Sequence, residues 1–192
     1  MFKMKTSSIL MFITLASIYL SGCGNETSIN ENDASAVIEE YLESNPEYKT
    51  ITFNFGELSF RSRKDQEELN KYKLLDEQGF IKMKLDEQKK IFLSKDSTFI
   101  YVVTLTEKSA PLVIDQGKDK ATIKSVNYIL DDAKPVNFVK SGNKTAKATV
   151  TLKKAETEFY PFMKDRASNS EFITKTYKLR LKKDAGWVVE GS

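Results

Sequence analysis

The chain holds one cysteine, Cys23, and no histidine, and those two facts decide most of the chemistry open to it. Serine-histidine and cysteine-histidine triads need an imidazole base. The usual zinc sites need His or Cys ligands, and an intrachain disulfide needs a second thiol. None of these can be built here, so no catalytic residue, metal ligand or cofactor is assigned. Carboxylates remain: Glu39 and Glu40, Glu67 and Glu68, and Asp131 and Asp132 stand in adjacent pairs. Neighbouring helical positions point in different directions, whereas acid-base chemistry needs convergent carboxyl groups with separated pKa values. The pairs read as solvated surface, and no Gly-rich phosphate loop accompanies them.

The place of Cys23 in the chain is more informative than its thiol. Residues 1–22 contain Lys3 and Lys5 but no acidic residue, and a twelve-residue apolar run extends from Ile9 to Leu20. This is signal-peptide architecture. Twelve residues fall well short of the roughly twenty that span a bilayer as a helix. Leu20-Ser21-Gly22-Cys23, at the end of the run, resembles the bacterial lipobox. The resemblance implies a lipoprotein precursor: residues 1–22 are removed, and Cys23 becomes the N-terminus, with a diacylglyceryl group on sulfur and often an acylated amine. One acyl chain holds a protein only marginally, whereas two or three anchor it. Gly24 stands where an aspartate is linked with inner-membrane retention, which implies the periplasmic face of an outer membrane in a cell with two membranes. Residues 24–32 are polar, without apolar periodicity, and read with Cys23 as a tether of about 17 Å typical span.

Residues 33–192 are expected to form a single domain with one sizeable core. The chain carries 30 basic and 27 acidic side chains; without Lys3 and Lys5 the balance is 28 to 27, a net charge of +1. A domain built to neutralise phosphates carries a marked basic excess. Tyr72 to Ile81 resembles the helix-to-wing passage of winged-helix domains, but an exported, nearly neutral domain has neither the location nor the charge for nucleic acid.

The elements follow from periodicity. Val37, Ile38, Tyr41 and Leu42 predict a helix with Asp33 at its N-cap and Asn45-Pro46 at its end. Ile51, Phe53 and Phe55 predict a strand whose apolar phase shifts to Leu58 and Phe60 across a bulge at Gly56. Ser62 to Asp65 has capping-box spacing before a second helix through Leu69, Tyr72 and Leu75, ending near Gly79. Ile81, Met83 and Leu85 form a short strand, and Asp86 to Leu93 a further helical turn or two. Thr98 to Leu105 reads as a central strand. The next, from Ala121 to Leu130, slips phase between Ile123 and Val126. Ala146, Ala148, Val150 and Leu152 alternate cleanly, as do Tyr177, Leu179 and Leu181. Lys183 to Gly186 then supplies turn chemistry before a closing strand at Trp187.

The fold class expected is α+β, with N-terminal helices packed on a long-stranded, curved antiparallel meander. That order and the turn-plus-Trp ending are similar to cystatin-like cone folds. The resemblance implies a binding pocket or scaffold and carries no site residues.

Two surfaces are candidates for binding. Lys147 and Lys153 on one strand, and Lys178, Arg180 and Lys182 on the next, are interleaved with Thr149, Thr151 and Thr176 into a basic stripe. Its ordinary alternative is a solvated face whose lysines discourage edge pairing. Tyr160 and Phe162, in Phe159-Tyr160-Pro161-Phe162, would rim a pocket or cap the core. The expected function is non-enzymatic binding or scaffolding in the cell envelope. Its partners are the membrane, through acyl chains on Cys23, and an envelope protein, glycan or lipid. The alternative is a small-molecule-binding or hydrolytic enzyme using carboxylate, Ser or Tyr side chains in a cone-shaped pocket; buried, convergent carboxylates would favour it.

Overall fold

A computed structural model describes residues 28–90, 96–164 and 170–191. The expected leader, Cys23, residues 24–27, the expected helical turn at 91–93 and residues 165–169 lie outside the described residues.

The first helix, α1, spans Glu31–Ser44 and begins with a capping box. The Asn30 side chain accepts from the Asp33 amide at 3.0 Å, and the Asp33 carboxylate accepts from the Asn30 amide at 3.0 Å. The cap is therefore Asn30 rather than the expected Asp33, which takes the reciprocal position three residues on. Ile29 is buried in the core, so residues 29–32, expected as tether, belong to the folded domain. Ala34, Ile38 and Leu42 form the buried stripe, and the Asn45 amide donates to the Tyr41 carbonyl before Pro46 stops the helix.

The expected single meander is instead two antiparallel sheets, within an α+β class that is mostly strand. The larger runs β1 (Glu47–Asn54), β6 (Lys120–Leu130), β8 (Thr145–Glu156), β9 (Phe172–Lys182) and β10 (Gly186–Val189). Two four-residue strands, β5 (Val113–Gln116) and β7 (Asn137–Lys140), pair with β6 and β8. The smaller sheet places β4 (Ser97–Leu105) between β2 (Gly56–Arg61) and β3 (Ile81–Lys90). The apolar run of β4 fits that central position.

Gly56 is therefore not a bulge in one strand. It is the corner at which the chain leaves the larger sheet for the smaller, since β1 pairs with β6 and β2 with β4. Its φ of 84° is left-handed, a conformation glycine adopts without a Cβ penalty. The Phe55 amide donates to the Asp119 carbonyl beside it, and the Tyr72 hydroxyl donates to the Asn54 carbonyl, both at 2.9 Å.

Tyr72 lies on the second helix, α2 (Gln66–Glu77). The expected capping box at its start does not form. Ser62 donates to the Asp96 carboxylate, and the Asp65 carboxylate accepts from the Arg61 amide, so both side chains serve the turn instead. At the other end Gly79, at φ 79°, makes a full Schellman closure: its amide donates to Asp76 and that of Phe80 to Leu75. The residues following Leu85 continue as strand, contrary to the expected helical turn, because β3 stays paired to β4 through Lys90 after a register shift between Leu85 and Glu87.

Two apolar clusters result. Under α1, Ile38 and Leu42 meet Val126, Tyr128, Ala146, Ala148, Val150, Leu152, Tyr177 and Leu179. Between the sheets, α2 contributes Leu69, Tyr72 and Leu75 to Phe53, Phe60, Val103, Ile123 and Phe159. β6 serves both, and the expected phase slip is real. Lys49 pairs with Val126 but Thr50 with Lys124, leaving Ser125 as an extra residue. The bulge keeps Ala121 and Ile123 on the same face as Val126 and Tyr128, where strict alternation would send one pair to solvent.

Substituting Gly56 with alanine places a Cβ on a left-handed backbone, although nothing lies within 4 Å of it. The expected cost is about 1–2 kcal/mol from backbone strain alone, measured as a lower urea midpoint with unchanged m-value; an unaltered midpoint would show that the corner relaxes.

Candidate binding faces of the larger sheet

The alternation that buries Ala146, Ala148, Val150 and Leu152 turns Lys147, Thr149, Thr151 and Lys153 of β8 outward. On β9 the outward set is Phe172, Thr174, Thr176, Lys178, Arg180 and Lys182. Register decides which of them meet. Lys147 stands directly opposite Lys178, Thr149 opposite Thr176, Thr151 opposite Thr174, and Lys153 opposite Phe172. The two central threonine hydroxyls, of Thr149 and Thr176, are 2.8 Å apart.

The expected stripe is thus divided. Lys147, Lys178 and Arg180 gather at one end, and Arg180 is engaged by Glu190 at 2.9 Å. Lys182 lies opposite Gly186 of β10, past the end of the β8 pairing. Lys153 stands roughly 20 Å along β8 from Lys147, six residues at about 3.3–3.4 Å each. Neither Lys147 nor Lys178 has a carboxylate within ion-pair distance among the described residues. Exposed apolar side chains complete the face. Val139 of β7 is opposite Lys147 and Ile129 of β6 is opposite Lys153; they are 56% and 54% exposed, and Phe172 is 40% exposed. The Lys134 ammonium lies 5.7 Å from the Phe172 ring centre.

Tyr160 and Phe162 are not part of this face. They belong to a short 3-10 segment, Tyr160–Phe162, on the core side. Phe159 is buried between Phe53 and Phe80, with ring centres 5.1 and 5.9 Å away, and Phe162 packs edge-on against Phe53 and Tyr72. Tyr160 and Met163 pack instead against the α1 cluster, so the segment joins the two cores.

The core side of the sheet also carries charge. The alternation of buried residues, which is legible in the sequence, places Lys154 and Lys175 inward. The Lys154 side chain is only 11% exposed, held by Glu156 at 2.9 Å and Glu171 at 3.6 Å. Its ammonium lies 3.5 Å from the Tyr160 hydroxyl and 5.0 Å from that ring centre. The hydrogen bond to Glu156 raises its pKa above the ordinary lysine value, so it stays a cation. Lys175 of β9 reaches Glu47 of β1 at 3.1 Å. That contact spans the intervening β6 and β8, across a sheet that curls around its core face.

Beneath this pair lie Tyr128, the cross-strand neighbour of Glu47, and Tyr177, stacked edge-on against Tyr41 at 5.8 Å. Their hydroxyls, and the Trp187 indole nitrogen, are buried without a hydrogen-bond partner among the described residues. Burial, followed by the charge of Glu47, pushes the Tyr177 hydroxyl up to about 12, so it is protonated at neutral pH and cannot act as a base. Apart from the tyrosines, the buried polar side chains among the described residues are Ser109 and Ser125; no Asp or Glu is buried. Nor does any cluster of three His, Cys, Asp or Glu residues form there, and no helix is long and apolar enough to cross a membrane.

Removing a hydroxyl that has no partner relieves a desolvation cost. Tyr128→Phe and Tyr177→Phe are therefore expected to leave unfolding free energy unchanged or raise it by up to about 1 kcal/mol; a loss by urea titration would reveal a bonded partner. Phe159→Ala is expected to cost about 3–5 kcal/mol, as for a fully buried ring. Tyr160→Ala, half-buried, should cost only about 1–2 kcal/mol, and equal losses would contradict the different depths of the two rings. No family model, curated protein or solved structure matches the chain.

Proposed function

We propose that this chain is a lipid-anchored protein of the bacterial cell envelope whose domain binds or scaffolds another envelope component without catalysing a reaction. Anchoring is supported by Leu20-Ser21-Gly22-Cys23 at the end of a twelve-residue apolar run with a charged start. Cys23 carries the acyl chains, and the domain begins at Ile29, close behind it. In a two-membrane cell the chain faces the periplasm from the outer membrane. α1 against a curled antiparallel sheet supports a cone-like reading of that half of the fold, to which the smaller sheet is an addition.

One observation carries the binding reading: the outer face of β6, β7, β8 and β9 is left exposed by the described residues and combines Lys147, Lys178 and Lys153 with the exposed Val139, Ile129 and Phe172. A face serving only the fold gains nothing from like charges set opposite one another. A second reading, a small-molecule site on the core side, is favoured by the unpartnered hydroxyls of Tyr128 and Tyr177, since buried polar groups are ordinarily satisfied.

Cell fractionation and intact-mass measurement test the anchor. The wild-type chain is expected in the membrane fraction, beginning at an acylated Cys23. Cys23→Ala should abolish acylation and processing at that site; a variant that remains membrane-bound and is processed normally would overturn the reading. Crosslinking in intact cells then tests scaffolding, which predicts a specific recovered component that is lost on charge reversal at Lys147 and Lys178.

A further inference from the structure

The outer face places cations and apolar side chains in the same cross-strand rows. Val139, Lys147 and Lys178 form one row across β7, β8 and β9; Ile129, Lys153 and Phe172 form another across β6, β8 and β9. Threonine pairs fill the two rows between them. Surface apolar residues scattered singly are ordinary. Here, however, all three flank lysines, and Lys147 and Lys178 oppose one another without a carboxylate in ion-pair range among the described residues.

We infer that this face docks on an anionic phospholipid bilayer, its lysines meeting headgroup phosphates while Val139, Ile129 and Phe172 enter the shallow headgroup-acyl boundary. The inference rests on the proposed anchor for proximity but not for chemistry. A dissolved polyanion would neutralise the lysines yet leave Val139 and Ile129 in water. A bilayer interface supplies both terms within a few ångströms of depth. The chain length limits the distance: only residues 24–28 separate Cys23 from Ile29, which is buried on the α1 side of the sheet. Six residue steps reach at most roughly 20 Å, so an acylated Cys23 keeps the domain beside the surface. The curl also agrees, because the outer side of a sheet wrapped around its core meets a plane along a ridge. β8 and β9 supply that ridge, with one row near each end.

The test uses the mature chain, residues 23–192, carrying Cys23→Ser so that no acyl chain contributes, with its fold verified by circular dichroism. Co-sedimentation is measured with vesicles of phosphatidylcholine alone and with one-third phosphatidylglycerol, at low and high salt. The expected result is binding to the anionic vesicles only, weakened by salt. Each removed cation should weaken binding about fivefold, so Lys147→Ala with Lys178→Ala loses about 25-fold. Val139→Ser with Ile129→Ser should weaken binding while leaving its salt dependence intact. Lys82→Ala with Lys84→Ala on the smaller sheet should change nothing. Equal binding to both vesicles, no binding to either, or indifference to the Lys147 and Lys178 changes would overturn the inference. So would binding to soluble alginate without binding to vesicles, which would assign the face to a polyanionic glycan. Mass measurement of Cys23 in the unmutated chain keeps the two readings separate: an acylated Cys23 with no vesicle binding removes the docking alone, and vesicle binding with a bare Cys23 removes the anchor alone.

Discussion

The bulge at Ser125 is the local constraint on which the two cores depend. β6 is paired with β1 along one side and with β5 and then β8 along the other, so it cannot swivel to present different faces to different clusters. A strand changes face with every residue. One extra residue is therefore the smallest adjustment that keeps Ala121 and Ile123 in the core between the sheets while Val126 and Tyr128 enter the core under α1. Ser125 suits the position because it is fully buried and its hydroxyl donates to the Lys49 carbonyl at 3.2 Å. An apolar residue there would leave that bond unmade.

The remaining elements tie the two cores into one body. Phe159 and Phe162 point toward α2 and the smaller sheet, while Tyr160 and Met163 between and beside them turn to the α1 cluster. Lys154 fixes Tyr160 against β8 and draws in Glu171 just before β9. Its cost of burial is offset because the ammonium retains two carboxylates, a phenol oxygen and a ring face. Tyr72 performs the corresponding task at Gly56, joining α2 to the corner where the chain changes sheets.

With the core side so occupied, the two faces of the larger sheet have different chemical capacities. The core side holds its charges in internal pairs and its phenols under cover. The outer side holds Lys147 and Lys178, which have no carboxylate in ion-pair range among the described residues, beside the exposed Val139 and Ile129. On the proposed reading, recognition falls to the outer side, and the short link from Cys23 holds the domain near the bilayer.

Much of the local structure was legible in the residues. The spacing of Val37, Ile38, Tyr41 and Leu42 determined α1; alternation determined β8 and β9; the phase slip before Val126 foretold the bulge; Gly79 and Gly186 marked their turns. The absence of histidine and of a second cysteine excluded whole classes of site, and Leu20 to Cys23 supplied the expectation of an anchor. These are properties of a few consecutive residues, and local sterics or chemistry suffices to read them. What only the tertiary structure decided was pairing between distant segments. Nothing near Gly56 states that β1 will pair with β6 and β2 with β4, and Asp86 to Lys90 have helix-compatible side chains until β4 offers them a ladder. Likewise Lys147 meets Lys178, Arg180 meets Glu190, and Lys175 reaches Glu47 only because register and curl bring together positions between about ten and one hundred and thirty residues apart. Side-chain type fixes what a residue can do, but long-range strand pairing fixes which residues do it together.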